Sequence, residues 1–557
     1  VDMQRSGRGT SRRNLFTLMG VAAGASLLPG CSDAVADRSG AASDAQKTAG
    51  VVPKYTELRL PGLPPPDIKG KPPTPDGYLK YPELVQGVAE KPGTGGAAIK
   101  AMTPAWGALP NGVGKNAYLD GVNAQLGVVV DFSTQDGLKY NDKLNAVLGA
   151  RDVPDILAIP GWEVARVPRM TEAVKALFED LTPYLAGDAV TRYPMLATLP
   201  TGAWNASVWA GRLYAVPFPQ HDAGFPWALY YRKDLFDKAG VAPPKTADEL
   251  YLVGKKFTDP GRNVWAFNDV FTMVQMIFKV PNQRAHWSLD GSGKPVHRME
   301  TSEFRAAVEF THKLYRDGLV HPDTIASKDA DRDQLFASGK IVFMQNGPGS
   351  WQPTQAAQQK ITAGFTIQPV PAFAADGGTP LYWGGTDPIS YAFVRKGQGK
   401  ARTEEILRVM NWSSAAFGTK EAFTRDWGFE GKHYKMTAGG PEKLDLGFKE
   451  NASQYTFIGG GRPTIAPTPD TPDYPRQVIE WGIATARYIA EDPWAGMKFE
   501  WPARYVSVET PTEDKITDIL RGRRPLSELD TVLRDWRSGG GDEGRALMAK
   551  ALENKPK

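Results

Sequence analysis

With one cysteine in 557 residues, the chain forms no internal disulfide, so any meaning of that thiol lies in its position. No G-x-x-x-x-G-K-[ST] stretch occurs; the backbone cradle and lysine of a phosphate loop are missing, and ATP hydrolysis by this chain is excluded. The histidines, at 221, 286, 297, 312, 321 and 433, include no i, i+4 pair, which leaves a zinc-binding helix unsupported. G-x-S-x-G is absent as well, so a serine elbow lacks its local signature. Charge of either sign is in balance. The formal value of +4 falls to +1 if residues 1–30 are removed, because they carry four arginines against Asp2. That is no electrostatic footprint for nucleic acid. Neither metal nor cofactor is expected.

The single thiol, Cys31, closes the stretch SRRNLFTLMGVAAGASLLPGC. Arginines at 5, 8, 12 and 13 precede a weakly apolar run from Leu15 to Leu28, shorter than the roughly 20 residues of a spanning helix. This is the layout of an export leader. Ser11-Arg12-Arg13-Asn14-Leu15-Phe16 resembles the twin-arginine export motif, and Leu28-Pro29-Gly30-Cys31 resembles a bacterial lipobox. Residues 1–30 are therefore expected to be a signal peptide and Cys31 a lipid attachment point, holding the protein outside the cytoplasmic membrane. Residues 31–96 are rich in Ala, Ser, Pro and Gly, with Leu63-Pro64-Pro65-Pro66 and Lys71-Pro72-Pro73. Too little apolar surface recurs for a core, and a flexible tether is expected.

From Ile99 strands and helices alternate. AAIKAMTPAWG reads as strand and loop, NAYLDGVNAQLG as helix, VVVDFSTQ as a buried strand, YNDKLNAVLGA as an amphipathic helix, and PDILAIPGW as another strand. The pattern predicts an α/β fold with largely parallel sheets and ligands at the carboxyl ends of strands. Thr246 with Glu249, and Thr301, signal helix starts. LDGSGKPV reads as a turn, since the oxygen ligands of a calcium loop are missing. ITDILRGRRPLSELDTVLRDW reads as two helices split at 522–525.

YNDKLNAVLGARDVPDILAI, WAGRLYAVPFPQHDAGFPWALYYRKDLFDKAGVAPPKTADEL, WSLDGSGKPVHRMETSEFRAAVEFTHKLYRDGLVHPD and LFASGKIVFMQNGPGSW follow one another in order. Together they resemble the extracellular solute-binding protein family of carbohydrate ABC importers, the last being similar to the maltose-binding branch. The resemblance implies a two-lobed periplasmic-binding-protein-like fold of type II, with a hinge and a central cleft. It implies lobe 1 over 97–222, lobe 2 over 223–372, a return to lobe 1 over 373–430, and lobe 2 with C-terminal helices over 431–557. Crossings are expected near Phe218 to Ala228, Val370 to Phe373 and Phe429 to Tyr434. The implied partners are a carbohydrate ligand and the permease and ATPase of an importer, with this chain a monomer and not an enzyme.

Ligand contacts carried over from the family are Trp162, Phe225, Trp227, Phe267, Asn268 and Trp351, with Trp383 and Asp387 joining them. Sugar rings have apolar C–H faces and a hydroxyl rim, so aromatic faces beside Asn and Asp suit them. Trp162 and Trp351 are expected as opposing walls, one from each lobe. Trp106, Trp265, Trp383 and Trp427 stand between ligand contact and core packing. An exported hydrolase or lyase remains a second reading, because Asp269 and Asp387 sit in aromatic surroundings that could host paired-carboxylate chemistry. A binding protein for a peptide or other small solute is a third.

Overall fold

The computed structural model describes residues 50–553 apart from 165, 220–224, 326–328, 386–387 and 496. The expected leader, with Arg12 and Arg13, and the expected lipid attachment at Cys31 lie outside the described residues.

Two mixed sheets organise the body. The first runs in the order Val130–Asp136, Ile99–Ala105, Ile156–Pro160, Ser390–Val394, Ala215–Phe218. Its first three strands are parallel, and Ser390–Val394 is antiparallel to both neighbours. The second runs Ile367–Pro369, Ala228–Arg232, Ile341–Asn346, Trp265–Phe267, with only the last pair parallel. The sheets are thus less parallel than expected. Strands that arrive from the other lobe enter at the crossing edge and must run backwards.

Period-two alternation explains how the first sheet buries both faces. Ile99, Ala101, Ile156 and Val394 join one core with the helices Ala117–Leu126 and Lys400–Ser413, while Met102, Leu157, Ile159 and Phe393 face the helices Tyr140–Ala150 and Met170–Leu177. Each such aliphatic side chain contributes about 1.5–3 kcal/mol by leaving water. The second sheet does the same, with Ala228 and Tyr230 on one face and Leu229 and Tyr231 on the other. Caps follow the sequence signals. Thr246 Oγ1 accepts the Glu249 amide at 3.1 Å and Thr301 Oγ1 that of Phe304 at 3.2 Å. The helices Ala503–Leu520 and Leu529–Trp536 are separated as expected and, with a further helix Asp542–Glu553, pack on the second lobe's core.

Three boundaries need correction. Residues 50–96 are not a free tether. Val51 and Val52 pack on the first lobe's core, Ile68 packs on a core of the second, and Val88 returns to the first. The backbone is pinned along the way: Lys54 and Thr56 donate to the Gly187 and Ala197 carbonyls, Tyr78 to Ile465, and Val85 to Gly418. This strap touches both lobes with few apolar residues because each anchor finds a ready partner. Secondly, Val370 to Phe373 is not a crossing. Phe373, Tyr382 and Trp383 still pack in the second lobe, so the chain crosses between Trp383 and Ser390. Thirdly, Phe429 to Tyr434 stays in the first lobe, where Phe429 packs on the core and His433 Nε2 pairs with Glu450 at 3.0 Å. The third crossing is Gly459-Gly460-Gly461, between Ile458 of the first core and Ile465 of the second. Gly460 is obligatory there, since a Cβ would fall 1.8 Å from the Phe218 ring.

Candidate functional site

Register shows where the cleft lies. Ser390 pairs with both Pro160 and Phe218, so the end of Ile156–Pro160, the end of Ala215–Phe218 and the start of Ser390–Val394 share one edge of the first sheet. Asn346 pairs with Ala228, which places the end of Ile341–Asn346 and the start of Ala228–Arg232 at the matching edge of the second. The chain crosses from Phe218 to Ala228, so these two edges flank the hinge.

On the first edge stand two tryptophans. Trp106 follows the strand Ile99–Ala105, and Trp162 follows the neighbouring parallel strand Ile156–Pro160; each is 49% exposed. Their ring centroids are 5.9 Å apart, and Trp106 lies 5.8 Å from Phe457 beside the third crossing. Trp106 lies so close over Gly137 that a Cβ there would sit 2.4 Å from the indole. The turn carrying Trp162 is held by buried Glu163, whose carboxylate accepts from Asn141 Nδ2 at 2.7 Å. Two large apolar faces are thus left half in water at the ends of adjacent strands.

The second edge offers polar atoms within aromatic walls. Asn268 directly follows the strand Trp265–Phe267 and is buried, with its Oδ1 unpartnered. The Trp481 indole N–H is likewise buried without a partner. Its ring stands 5.0 Å from Phe225, which in turn lies 5.3 Å from Tyr382. The Tyr382 hydroxyl donates to the Trp227 carbonyl at 2.8 Å, fixing half-buried Trp227 at the first crossing. Burial pushes the Tyr382 hydroxyl well above the usual phenol range, so it stays a neutral donor. Unsatisfied buried polar atoms are costly and call for a partner.

The residues expected from sequence divide accordingly. Trp162, Trp227 and Asn268 stand at the crossing edges. Trp351 does not: it is 1% exposed, its indole donates to the Ile367 carbonyl at 3.1 Å, and Tyr474 packs edge-on against it. Phe267 is core too, stacked on Phe343 at 5.2 Å, and Phe225 supports the edge from 2% exposure. Trp351 and Phe267 begin or end elements whose inward face takes them, which overturns the pair of opposing walls. Trp383 is buried and donates to the Val280 carbonyl at 2.8 Å, and it walls a cavity of about 660 Å³ with Tyr382, Leu289 and Ile489. Asp387 lies outside the described residues. Asp269 spends a carboxylate oxygen on the Phe271 amide at 3.0 Å, as a turn cap. Trp481 was not anticipated from sequence; its sole signal is an aromatic in a helix, Tyr474–Ala486, that follows the glycine-rich crossing.

Among the described residues no helix is long and apolar enough to cross a membrane. The family profile of bacterial extracellular solute-binding proteins matches residues 110–412, more than half of the chain. The chain belongs to that family, whose fold is the two-lobed α/β architecture seen here and whose members bind solutes and do not transform them. Among curated relatives, the melibiose/raffinose/stachyose-binding protein MelE of Bacillus subtilis (strain 168) is 21% identical over 265 residues, 45% of this chain and 55% of its own. The polygalacturonan/rhamnogalacturonan-binding protein YtcQ of the same organism is 26% identical over 218 residues, 37% of this chain and 41% of its own. The chain thus spans about half the length of the curated relatives it matches. The crystal structure of the alginate-binding protein AlgQ2 without calcium ion superposes with a TM-score of 0.60 at 16% identity, covering 85% of this chain and all of that one.

Proposed function

We propose that this protein is the lipid-anchored, extracytoplasmic receptor of an ABC importer, capturing an oligosaccharide between its lobes. In this reading the captured sugar passes to a membrane permease whose separate ATPase supplies the energy. The observation that carries the reading is the half-exposed pair Trp106 and Trp162 at the ends of adjacent strands, flanking the hinge. Two exposed indole faces, tilted at 55° to each other, match the C–H faces of pyranose rings, while the free Asn268 Oδ1 and the Trp481 N–H suit their hydroxyl rims. Relatives named for binding melibiose, raffinose and stachyose, or polygalacturonan and rhamnogalacturonan, support the ligand class. Export through the twin-arginine route, the anchor at Cys31 and kinship with the maltose-binding branch belong to the same reading, on the sequence motifs alone.

The test is calorimetric titration with a panel of neutral and acidic oligosaccharides, peptides included as competitors, followed by mass analysis of the recovered ligand. Saturable binding of a sugar that returns unchanged supports a receptor. A sugar returned cleaved sinks it in favour of an enzyme, and binding confined to peptides sinks the carbohydrate reading.

A further inference from the structure

We propose that His286, His297 and Glu509 form a binding site for a borderline divalent transition-metal ion such as Zn2+. The proposal is independent of the carbohydrate reading. It rests on side chains from three separate segments: His286 just before the strand Trp287–Leu289, His297 at the end of the strand Pro295–His297, and Glu509 in the helix Ala503–Leu520. The two strands are the arms of one hairpin, which pairs Trp287 with His297. Nitrogen and oxygen atoms of the three side chains all lie within 4.8 Å of one another. His286 Nδ1 is 3.5 Å from Glu509 Oε2, and His297 Nε2 is 4.0 Å from Oε1.

A second observation points to a ligand. His297 is fully buried, and its Nε2 has no hydrogen-bond partner. The ring cannot turn away, being stacked on Trp536 at 4.4 Å with Trp287 at 4.9 Å. Glu509 is held by the Trp536 indole, which donates to Oε1 at 2.9 Å, and by the Tyr505 hydroxyl. Such outer partners are the usual means of orienting a metal ligand. The nearby cations are already committed, Arg298 to Glu513 at 2.9 Å and Arg545 to Glu300.

Two imidazoles and one carboxylate suit Zn2+, Co2+ or Ni2+ rather than the all-oxygen shells of Ca2+ and Mg2+. Zinc–ligand bonds of about 2.0–2.1 Å require donors some 3.3 Å apart in a tetrahedron, so the cluster closes by about 1 Å on binding. His286 has a side chain 35% exposed, which gives the ion a way in and leaves a fourth position for water. One contact opposes capture. The Met299 amide donates to His297 Nδ1 at 3.4 Å, and coordination through Nε2 moves the ring proton to Nδ1, so that long bond is given up. Affinity is accordingly modest, and the metal acts as a staple between hairpin and helix.

The experiment uses the tag-free full chain, stripped with a chelator, titrated with Zn2+ against a chromophoric competitor and with Co2+ followed by its visible ligand-field bands. One equivalent of Zn2+, four-coordinate Co2+ bands and a thermal midpoint raised by zinc are expected. H286A should weaken zinc at least tenfold, as should E509Q, while H312A, outside the cluster, leaves it unchanged. His286 is partly exposed, so H286A tests the site even if E509Q unfolds. The proposal is overturned by absent stoichiometric binding, by H286A binding like the parent, or by H312A weakening zinc equally.

Discussion

Arg462, one residue past the triglycine crossing, donates through Nη2 to the Asp76 carboxylate at 2.9 Å and so ties the third crossing to the strap. The same carboxylate accepts the Gly70 amide at 3.0 Å and Lys69 Nζ at 2.8 Å, and Asp76 and Gly77 pair in parallel with Thr464 and Ile465. Lys69 is largely exposed and adds little. Arg462 and the amide are the consequential partners. Asp76→Ala strands both and should lower stability by about 2 kcal/mol, read as a lower midpoint in chemical denaturation. Asp76→Asn, which keeps an acceptor for Gly70, should lose less. Equal midpoints for Asp76→Ala and the parent would show that the strap is not held here.

The far end of the strap is held by Glu405, whose Oε1 accepts both the amide and the hydroxyl of Thr94, at 2.9 and 3.0 Å. Burial raises this carboxyl, but the Thr94 bonds and Arg402 outweigh it and leave it below the ordinary glutamate value. A depressed carboxylate stabilises the fold above its unfolded value of about 4.3 and loses that contribution as pH falls through the folded value. Stability of the parent should therefore exceed that of Glu405→Gln at neutral pH, and the two curves should draw together as pH falls below the ordinary glutamate value and through the lower folded one. Protection factors for hydrogen exchange at 93–96, taken relative to the intrinsic rate at each pH, should fall over the same acid range. A constant gap down to acid would remove Glu405 as the cause.

The proposed anchor is Cys31, because two acyl chains are enough to hold a protein at a bilayer where one is marginal. Cys31→Ala should move the protein from the membrane fraction to the soluble one. Replacing Arg12 and Arg13 together by lysine keeps charge but loses the guanidinium pair, and export should fall. Unchanged partitioning in the first case, or undiminished export in the second, would separate the anchor from the route and refute the part concerned.

What is legible in sequence is what repeats. The strands and helices from Ile99 to Pro160 follow apolar patterns of period two and 3.6, and each falls where its pattern places it. Trp162 is legible because it stands two residues past the end of a buried strand. The strap is not, since its anchors are single residues whose partners lie more than a hundred positions away, as with Lys54 and Gly187. Composition alone reads such a segment as unstructured. The third crossing is hidden in three glycines that look like a loop, and their need shows only against distant partners, the Met410 carbonyl for Gly459, the Phe218 ring for Gly460 and the Ala415 carbonyl for Gly461. Trp351 misleads because a tryptophan opening a helix after a turn can face either way, and here the Ile367 carbonyl captures its indole.

That contrast between tryptophans sets the sharpest test of the site. Trp106 and Trp162 are each half exposed, so truncation removes a surface for ligand without opening a hole in the core. Trp162→Ala and Trp106→Ala should each cost on the order of 2 kcal/mol of binding, more than tenfold in affinity, as at other aromatic hot spots. Their unfolding free energies should shift by less than about 1 kcal/mol. Trp351→Ala should do the opposite: it vacates a packed site between Tyr230 and Tyr474 and should cost about 3–5 kcal/mol of stability. Any Trp351→Ala protein that still folds should bind sugar with near-parental affinity. The measurements are calorimetric titration with the cognate sugar and denaturation of the free proteins. If Trp351→Ala abolishes binding while remaining as stable as the parent, or if both exposed tryptophans are dispensable for binding, the platform at the first sheet's edge is not the ligand site.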